Sequence, residues 1–240
     1  MDDWRYKPAR DLGLPLGQRL RSIKRETGMV GRLTHRAWWA AMSAYLRCTQ
    51  KLTIHGQEHL PASPPFILAA NHSSHLDAVV LAIAIPPALR WCVFPIAAGD
   101  TFFETPAHSV FAAGAMNALP MWRKNCGRHA MEELRSRLLD EPCGFILFPE
   151  GTRSRSGEMA AFRPGLGMIV AGTVAPVIPV CLHGTFDAWP PQARRPRRGQ
   201  RIEVRIGPAL EFAGVANDRE GWQRIAGEVE SAVRALKAHR

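Results

Sequence analysis

Two short runs in this chain of 240 residues carry side chains able to move a proton and to grip an anion. The first is Asn71-His72-Ser73-Ser74-His75-Leu76-Asp77, set between the apolar runs Phe66–Ala70 and Ala78–Ile85. A carboxylate bonded to one imidazole nitrogen fixes the tautomer and stabilises the imidazolium, leaving the other nitrogen to take a proton from a hydroxyl. With Asp77 in the first turn of a helix, His72 lies in the loop before it and its ring can reach back to the carboxylate. The spacing therefore predicts a catalytic dyad of His72 and Asp77. Plainer readings of the same run are a capping box, Ser74-x-x-Asp77, beside an ordinary loop histidine, and a metal set of His72, His75 and Asp77. No further Cys or His cluster completes that set, and no metal is expected.

The second run is Phe148-Pro149-Glu150-Gly151-Thr152-Arg153-Ser154-Arg155, again directly after an apolar stretch, Phe145–Phe148. Pro149 and Gly151 suit a tight exit that exposes backbone N–H groups, and Arg153 and Arg155 bring forked donors that match phosphate oxygens. Glu150 either orients an arginine or meets a substrate hydroxyl. The spacing is neither a Walker loop nor a dinucleotide fingerprint. Its alternative is a charged surface turn.

Loops of this kind need a scaffold that ends strands beside them. From about Leu52 the chain alternates strand-like and helix-like segments, which predicts an α/β class: a mixed, largely parallel sheet flanked by helices. Strands are expected at 66–70, 91–96, 118–122, 145–148, 177–182 and 201–206. Helices are expected at 78–85, 102–115, 128–139, 165–172 and 218–238, the last capped by Asn217 or Asp218. Residues at the carboxyl ends of such strands line the rim where ligands bind. Both chemical runs fall at such an end.

Ahead of this domain, expected over 52–240, residues 1–51 form a basic, Trp-containing helical arm. A short helix is expected near 16–26 and a longer one over 33–52. In the longer one Trp38, Trp39, Met42, Tyr45 and Leu46 cluster between Arg32, Arg36, Arg47 and Lys51, which suits a helix lying in a headgroup layer; the other reading packs its aromatics on the domain. The net charge of +10 implies an anionic partner. No run reaches the roughly 18–20 apolar residues that span a bilayer, and no secretory leader is read, so peripheral contact with the cytoplasmic face of the cell membrane is expected. Five dispersed cysteines without a Cys-x-x-Cys pair indicate no disulfide framework. Arg194, Arg195, Arg197, Arg198 and Arg201 form a basic loop that either touches an anionic partner or is simply solvated. Nucleic acid is not expected, because most aromatics sit in apolar elements.

Taken together, four blocks resemble the glycerolipid acyltransferases of the PlsC-like, lysophosphatidic acid acyltransferase type. His72 and Asp77 match its His-x4-Asp block, Asn117-Ala-Leu-Pro-Met-Trp-Arg123 approximates its second block, Phe148 to Ser154 match its third, and Ala175 to Val180 its apolar fourth. Asn117, Leu119 and Met121 depart from the family's usual residues, which bears on the acceptor. The resemblance implies that His72 deprotonates the acceptor hydroxyl with Asp77 in support, while Arg123, Glu150, Gly151, Thr152 and Arg153 bind the acceptor's phosphate. It implies no bound cofactor, and an acyl thioester of coenzyme A or of an acidic acyl carrier protein as co-substrate. The acceptor would be 1-acyl-glycerol-3-phosphate and the product phosphatidic acid. Another lysophospholipid or a lyso-aminolipid is the alternative acceptor, and a non-catalytic basic membrane-binding protein the rival function.

Overall fold

The computed structural model describes residue 9 and residues 11–26, 28–122 and 128–238. Phe66–Ala70 forms β2, every residue of which is buried, as expected of a strand covered on both faces. Around it stand β1 (Lys51–His55), β3 (Val93–Ala98), β4 (Leu119–Met121), β5 (Gly144–Leu147), β6 (Val177–His183) and β7 (Arg201–Ile206). Among the described residues these make one seven-stranded sheet in the order β1-β7-β6-β2-β5-β3-β4. All pairs are parallel except β6 with β7. The carboxyl ends of β2, β3, β4, β5 and β6 therefore share one edge of the sheet.

The helices are α1 (Leu16–Leu20), α2 (Met29–Thr49), α3 (Asp77–Ala84), α4 (Gly99–Phe102), α5 (Pro106–Val110), α6 (Arg128–Asp140), α7 (Gly165–Val170), α8 (Thr185–Ala188) and α9 (Arg219–Ala238). Side-chain alternation along β2 divides the core. Ile67 and Ala69 meet the apolar stripes of α6, α7 and α9 on one face. Phe66, Leu68 and Ala70 meet α2 and α3 on the other. In α9, Ile225, Val229 and Val233 recur at four-residue spacing and are fully buried. A side chain at Gly167 of α7 would collide with the backbone of Trp222, its Cβ 2.4 Å from the Trp222 Cα, so glycine there sets how closely α7 and α9 approach. Asp218 is the cap of α9, accepting from the Gly221 N–H at 2.8 Å, while Asn217 takes the Trp222 indole N–H.

Three expectations change in detail. Lys51–His55, assigned no strand from sequence, pairs in parallel with β7 as the outer strand. The helix expected over 102–115 breaks at Thr105-Pro106, because proline cannot continue the preceding turn but starts a new one well, with Thr105 accepting from His108 N–H. A wider π turn follows at Phe111–Ala115. Finally, of the two readings left open for the longer N-terminal helix, Trp39 and Leu46 take the second, both buried in the same core as β2. Among the described residues no helix is long and apolar enough to cross a membrane.

Candidate active site

The segment between β2 and α3 is fixed by its own polar groups. Asn71 clasps the backbone of β6, donating to the Leu182 carbonyl at 2.9 Å and accepting from its N–H at 2.7 Å. Ser74 donates to the Trp189 carbonyl at 2.7 Å. Asp77 opens α3 and is wholly buried. Its Oδ2 accepts from the N–H groups of Ser73 (2.6 Å) and Ser74 (2.7 Å) and from Nδ1 of His72 (2.8 Å). The capping box expected of Ser74-x-x-Asp77 does not form: Leu76 is the N-cap of α3, Asp77 is its first residue, and Ser74 Oγ accepts from the Leu76 N–H at 3.0 Å, so the carboxylate serves the loop and the imidazole instead. With Nδ1–H given to Asp77, Nε2 of His72 keeps its lone pair. The ring lies flat on Phe148, centroids 4.0 Å apart and planes 16° from parallel, which fixes the direction of that lone pair.

The loop after β5 comes to meet this segment. Gly151 adopts φ +75°, a left-handed turn open to glycine without strain. Its N–H closes the turn on the Phe148 carbonyl, and the Ser154 N–H reaches the His72 carbonyl at 2.8 Å. Between them the N–H groups of Thr152 and Arg153 have no protein acceptor among the described residues. Gly151, Thr152 and Arg153 form the polar rim that was expected to hold an anion.

Glu150 does something else. Only 2% exposed, it spends Oε1 on the His72 N–H (2.6 Å) and Oε2 on the Ala160 N–H (2.9 Å). Its carboxylate thus laces the two loops together and does not line the cavity. Burial pushes its pKa up, partly offset by those two N–H donors. Arg123, the other expected phosphate ligand, lies outside the described residues. Arg155 is exposed and takes no part in the rim; Arg194, Arg195, Arg197 and Arg198 sit exposed on the loop after α8, and Arg201, also exposed, is the first residue of β7.

Behind the rim opens a cavity of about 670 Å³. Trp38, Met42, Tyr45 and Leu46 of α2, Val79 of α3, Ile96 of β3 and Phe111 form much of its apolar wall, and His72, His75, Thr152 and Arg153 its polar mouth. The cavity suits a ligand with a long apolar chain and an anionic, hydroxyl-bearing head. On the far side of α2 a separate groove is lined by Arg32, Arg36, Arg47 and Arg90 with no acidic residue among its walls.

Two contributors escaped the sequence reading. His75, weighed there only as a metal ligand, points instead at Arg153. Trp189, just after α8, receives both Ser74 and His75 on its carbonyl and places its ring against the His75 imidazole. Nothing in the local sequence pairs residue 189 with residue 75; only the sheet order brings β6 beside β2.

The chain is similar in sequence and in fold to known proteins. A family model described as acyltransferase matches residues 51–183, more than half of the chain and the stretch that holds both loops. The 1-acyl-sn-glycerol-3-phosphate acyltransferase alpha of Mus musculus is 26% identical over 168 residues, 70% of this chain and 58% of that protein. The chloroplastic 1-acyl-sn-glycerol-3-phosphate acyltransferase LPAT1 of Arabidopsis thaliana is 30% identical over 166 residues, 63% of this chain and 41% of that protein. The matched part of the chain thus spans little more than half, or less, of these curated relatives. Among solved structures, the 1-acyl-sn-glycerophosphate acyltransferase PlsC from Thermotoga maritima shares the fold, with TM-score 0.65 and 24% identity over 88% of this chain and 81% of that one.

Proposed function

This chain belongs to the acyltransferase family, and on that premise we propose that it transfers a fatty acyl group from a thioester to the free hydroxyl of 1-acyl-glycerol-3-phosphate, making phosphatidic acid. The observation that carries the reading is one juxtaposition. The His72–Asp77 pair, bonded at 2.8 Å, stands at the mouth of an apolar cavity whose rim is Gly151, Thr152 and Arg153. A phosphate bound by Arg153 and the unused N–H groups of Thr152 and Arg153 puts the glycerol hydroxyl of the same molecule near Nε2 of His72, while an acyl chain fills the cavity.

In the reaction, Nε2 takes the hydroxyl proton as the oxygen attacks the thioester carbonyl. Asp77 keeps the imidazole in the required tautomer and stabilises the imidazolium. The tetrahedral intermediate collapses by breaking the carbon–sulfur bond, and the departing thiolate takes the proton from His72. The ester forms in a single displacement with no acyl-enzyme. Arg123 and Glu150 enter differently: the former as a second phosphate ligand, the latter as the clasp that sets His72 against the rim.

The donor is an acyl thioester of coenzyme A or of acyl carrier protein, and the enzyme works at an anionic membrane surface. That surface contact is supported by the groove on α2, where Arg32, Arg36, Arg47 and Arg90 gather without a carboxylate. Like charges four residues apart on a helix repel, so such a groove gains most beside anions. The test is incubation of the purified protein with labelled acyl-coenzyme A or acyl carrier protein and a panel of lysolipids, with products identified by mass. Labelled phosphatidic acid is expected as the main product. Acyl transfer confined to acceptors without a phosphomonoester would overturn the acceptor, and no transfer to any acceptor would overturn the activity.

A further inference from the structure

Arg153 is steered by a neutral base. One of its terminal nitrogens donates to Nδ1 of His75, while the buried carboxylate of Asp77, itself bonded to His72, acts on it only through space. His75 is itself held on three sides. Its backbone N–H reaches the Trp189 carbonyl at 3.2 Å, its Nε2 lies 3.2 Å from the Pro191 carbonyl, and its ring packs against that of Trp189 with centroids 5.0 Å apart. One tautomer satisfies both ring nitrogens: Nε2–H donates to Pro191, and the lone pair of Nδ1 accepts from Arg153. Burial and the neighbouring guanidinium both lower the His75 pKa, which keeps that lone pair available at neutral pH.

The choice of partner has a consequence for binding. A carboxylate would orient Arg153 equally well but would neutralise it and compete with an incoming phosphate. A neutral imidazole orients the guanidinium and leaves its whole charge and remaining N–H donors for the ligand. We propose that His75 is a positioning residue for acceptor binding, holding Arg153 at the cavity mouth for the acceptor's phosphate; this rests on the acyltransferase reading above.

The test compares His75→Phe, which keeps a ring beside Trp189 but no acceptor atom, with His75→Asn, whose side-chain carbonyl can replace Nδ1. The expected result for His75→Phe is a rise of about tenfold in KM for 1-acyl-glycerol-3-phosphate, the loss of one hydrogen bond to a charged donor, with kcat and the donor's KM within about twofold of wild type. His75→Asn should recover most of the loss. His75→Leu serves the same purpose if the phenyl ring does not fit. An unchanged acceptor KM in the folded Phe or Leu variant would overturn the proposal, and so would an equal defect in His75→Asn or a fall confined to kcat. Calorimetric titration of glycerol 3-phosphate into the same variants separates the two readings. Weaker binding to His75→Phe supports the positioning role even if wild-type protein fails to make phosphatidic acid, which would count against the transfer reaction alone.

Discussion

The two loops that meet at the cavity mouth are held in opposite ways. In the stretch from Asn71 to Asp77 the polar side chains are tied down: Asn71 to β6, Ser74 to Trp189, and Asp77 to two N–H groups and an imidazole. Across from it, the backbone of Gly151, Thr152 and Arg153 is anchored mainly by what flanks it, Glu150 on one side and Ser154 on the other, and the Arg153 side chain rests on the imidazole of His75. The half proposed to move the proton is thus set before any ligand arrives, as preorganised catalysis requires. The half proposed to grip the anion keeps unused donors for a ligand, with Arg153 steered by His75.

The comparison predicts that loss of the dyad falls on turnover, and loss of the anion rim or of His75 beside it on binding. The largest effect belongs to His72→Ala, for which kcat should fall about 10²- to 10⁴-fold while far-ultraviolet circular dichroism stays unchanged. A folded, fully active variant would remove His72 from the chemistry. Next, Arg153→Ala should raise the acceptor KM by about 10- to 100-fold and leave the donor KM nearly untouched, read from steady-state kinetics with each substrate varied in turn. Equal rises in both constants would mean that the rim does not discriminate the phosphate.

Glu150→Gln probes the clasp between the loops. A carboxylate accepts from both His72 N–H and Ala160 N–H, whereas an amide must turn its own NH₂ toward one of them. The expected cost is about 1–3 kcal/mol, a fall in Tm of several degrees by calorimetry, with part of the loss also visible in kcat because His72 shifts. If kcat and Tm both match wild type, the loops do not depend on Glu150 for their registration.

The smallest expected effect is on stability alone and lies in the groove on the far side of α2. His35 of α2 accepts from the indole N–H of Trp39, and burial, with Arg25 and Arg90 nearby, lowers its pKa to about 4. The unfolded chain takes up a proton near the ordinary value of 6.5, while the folded chain resists it down to about 4. The contribution is therefore complete above pH 6.5 and is lost as the pH falls toward 4. His35→Gln, which retains an acceptor but cannot titrate, should lose less Tm than wild type between those values. A parallel decline in the two proteins would show that His35 does not titrate on unfolding.

Much of the sheet is legible in the sequence for one reason: β2, β5 and β6 are buried on both faces and read as unbroken apolar runs. β1 is not, because it is short, lies at the edge and alternates exposed with half-buried residues, leaving no apolar signal. In the site, His72, Asp77, Gly151 and Arg153 stand out by type and spacing alone. Glu150 shows how far type can mislead, since a carboxylate beside arginines suggests a ligand contact until its two backbone partners, 78 and 10 residues away, are seen. His75 and Trp189 remain hidden for the same cause, being joined only by the parallel pairing of β2 with β6.

The most direct test of the central claim is the ratio of kcat/KM for 1-acyl-glycerol-3-phosphate over monoacylglycerol bearing the same chain, measured with one acyl thioester. Both offer a hydroxyl to His72 and a chain to the cavity; only one offers a phosphate to Arg153. A ratio of 10² or more is predicted, from about 3 kcal/mol of charge-assisted bonding to the phosphate. A ratio near one would contradict the account.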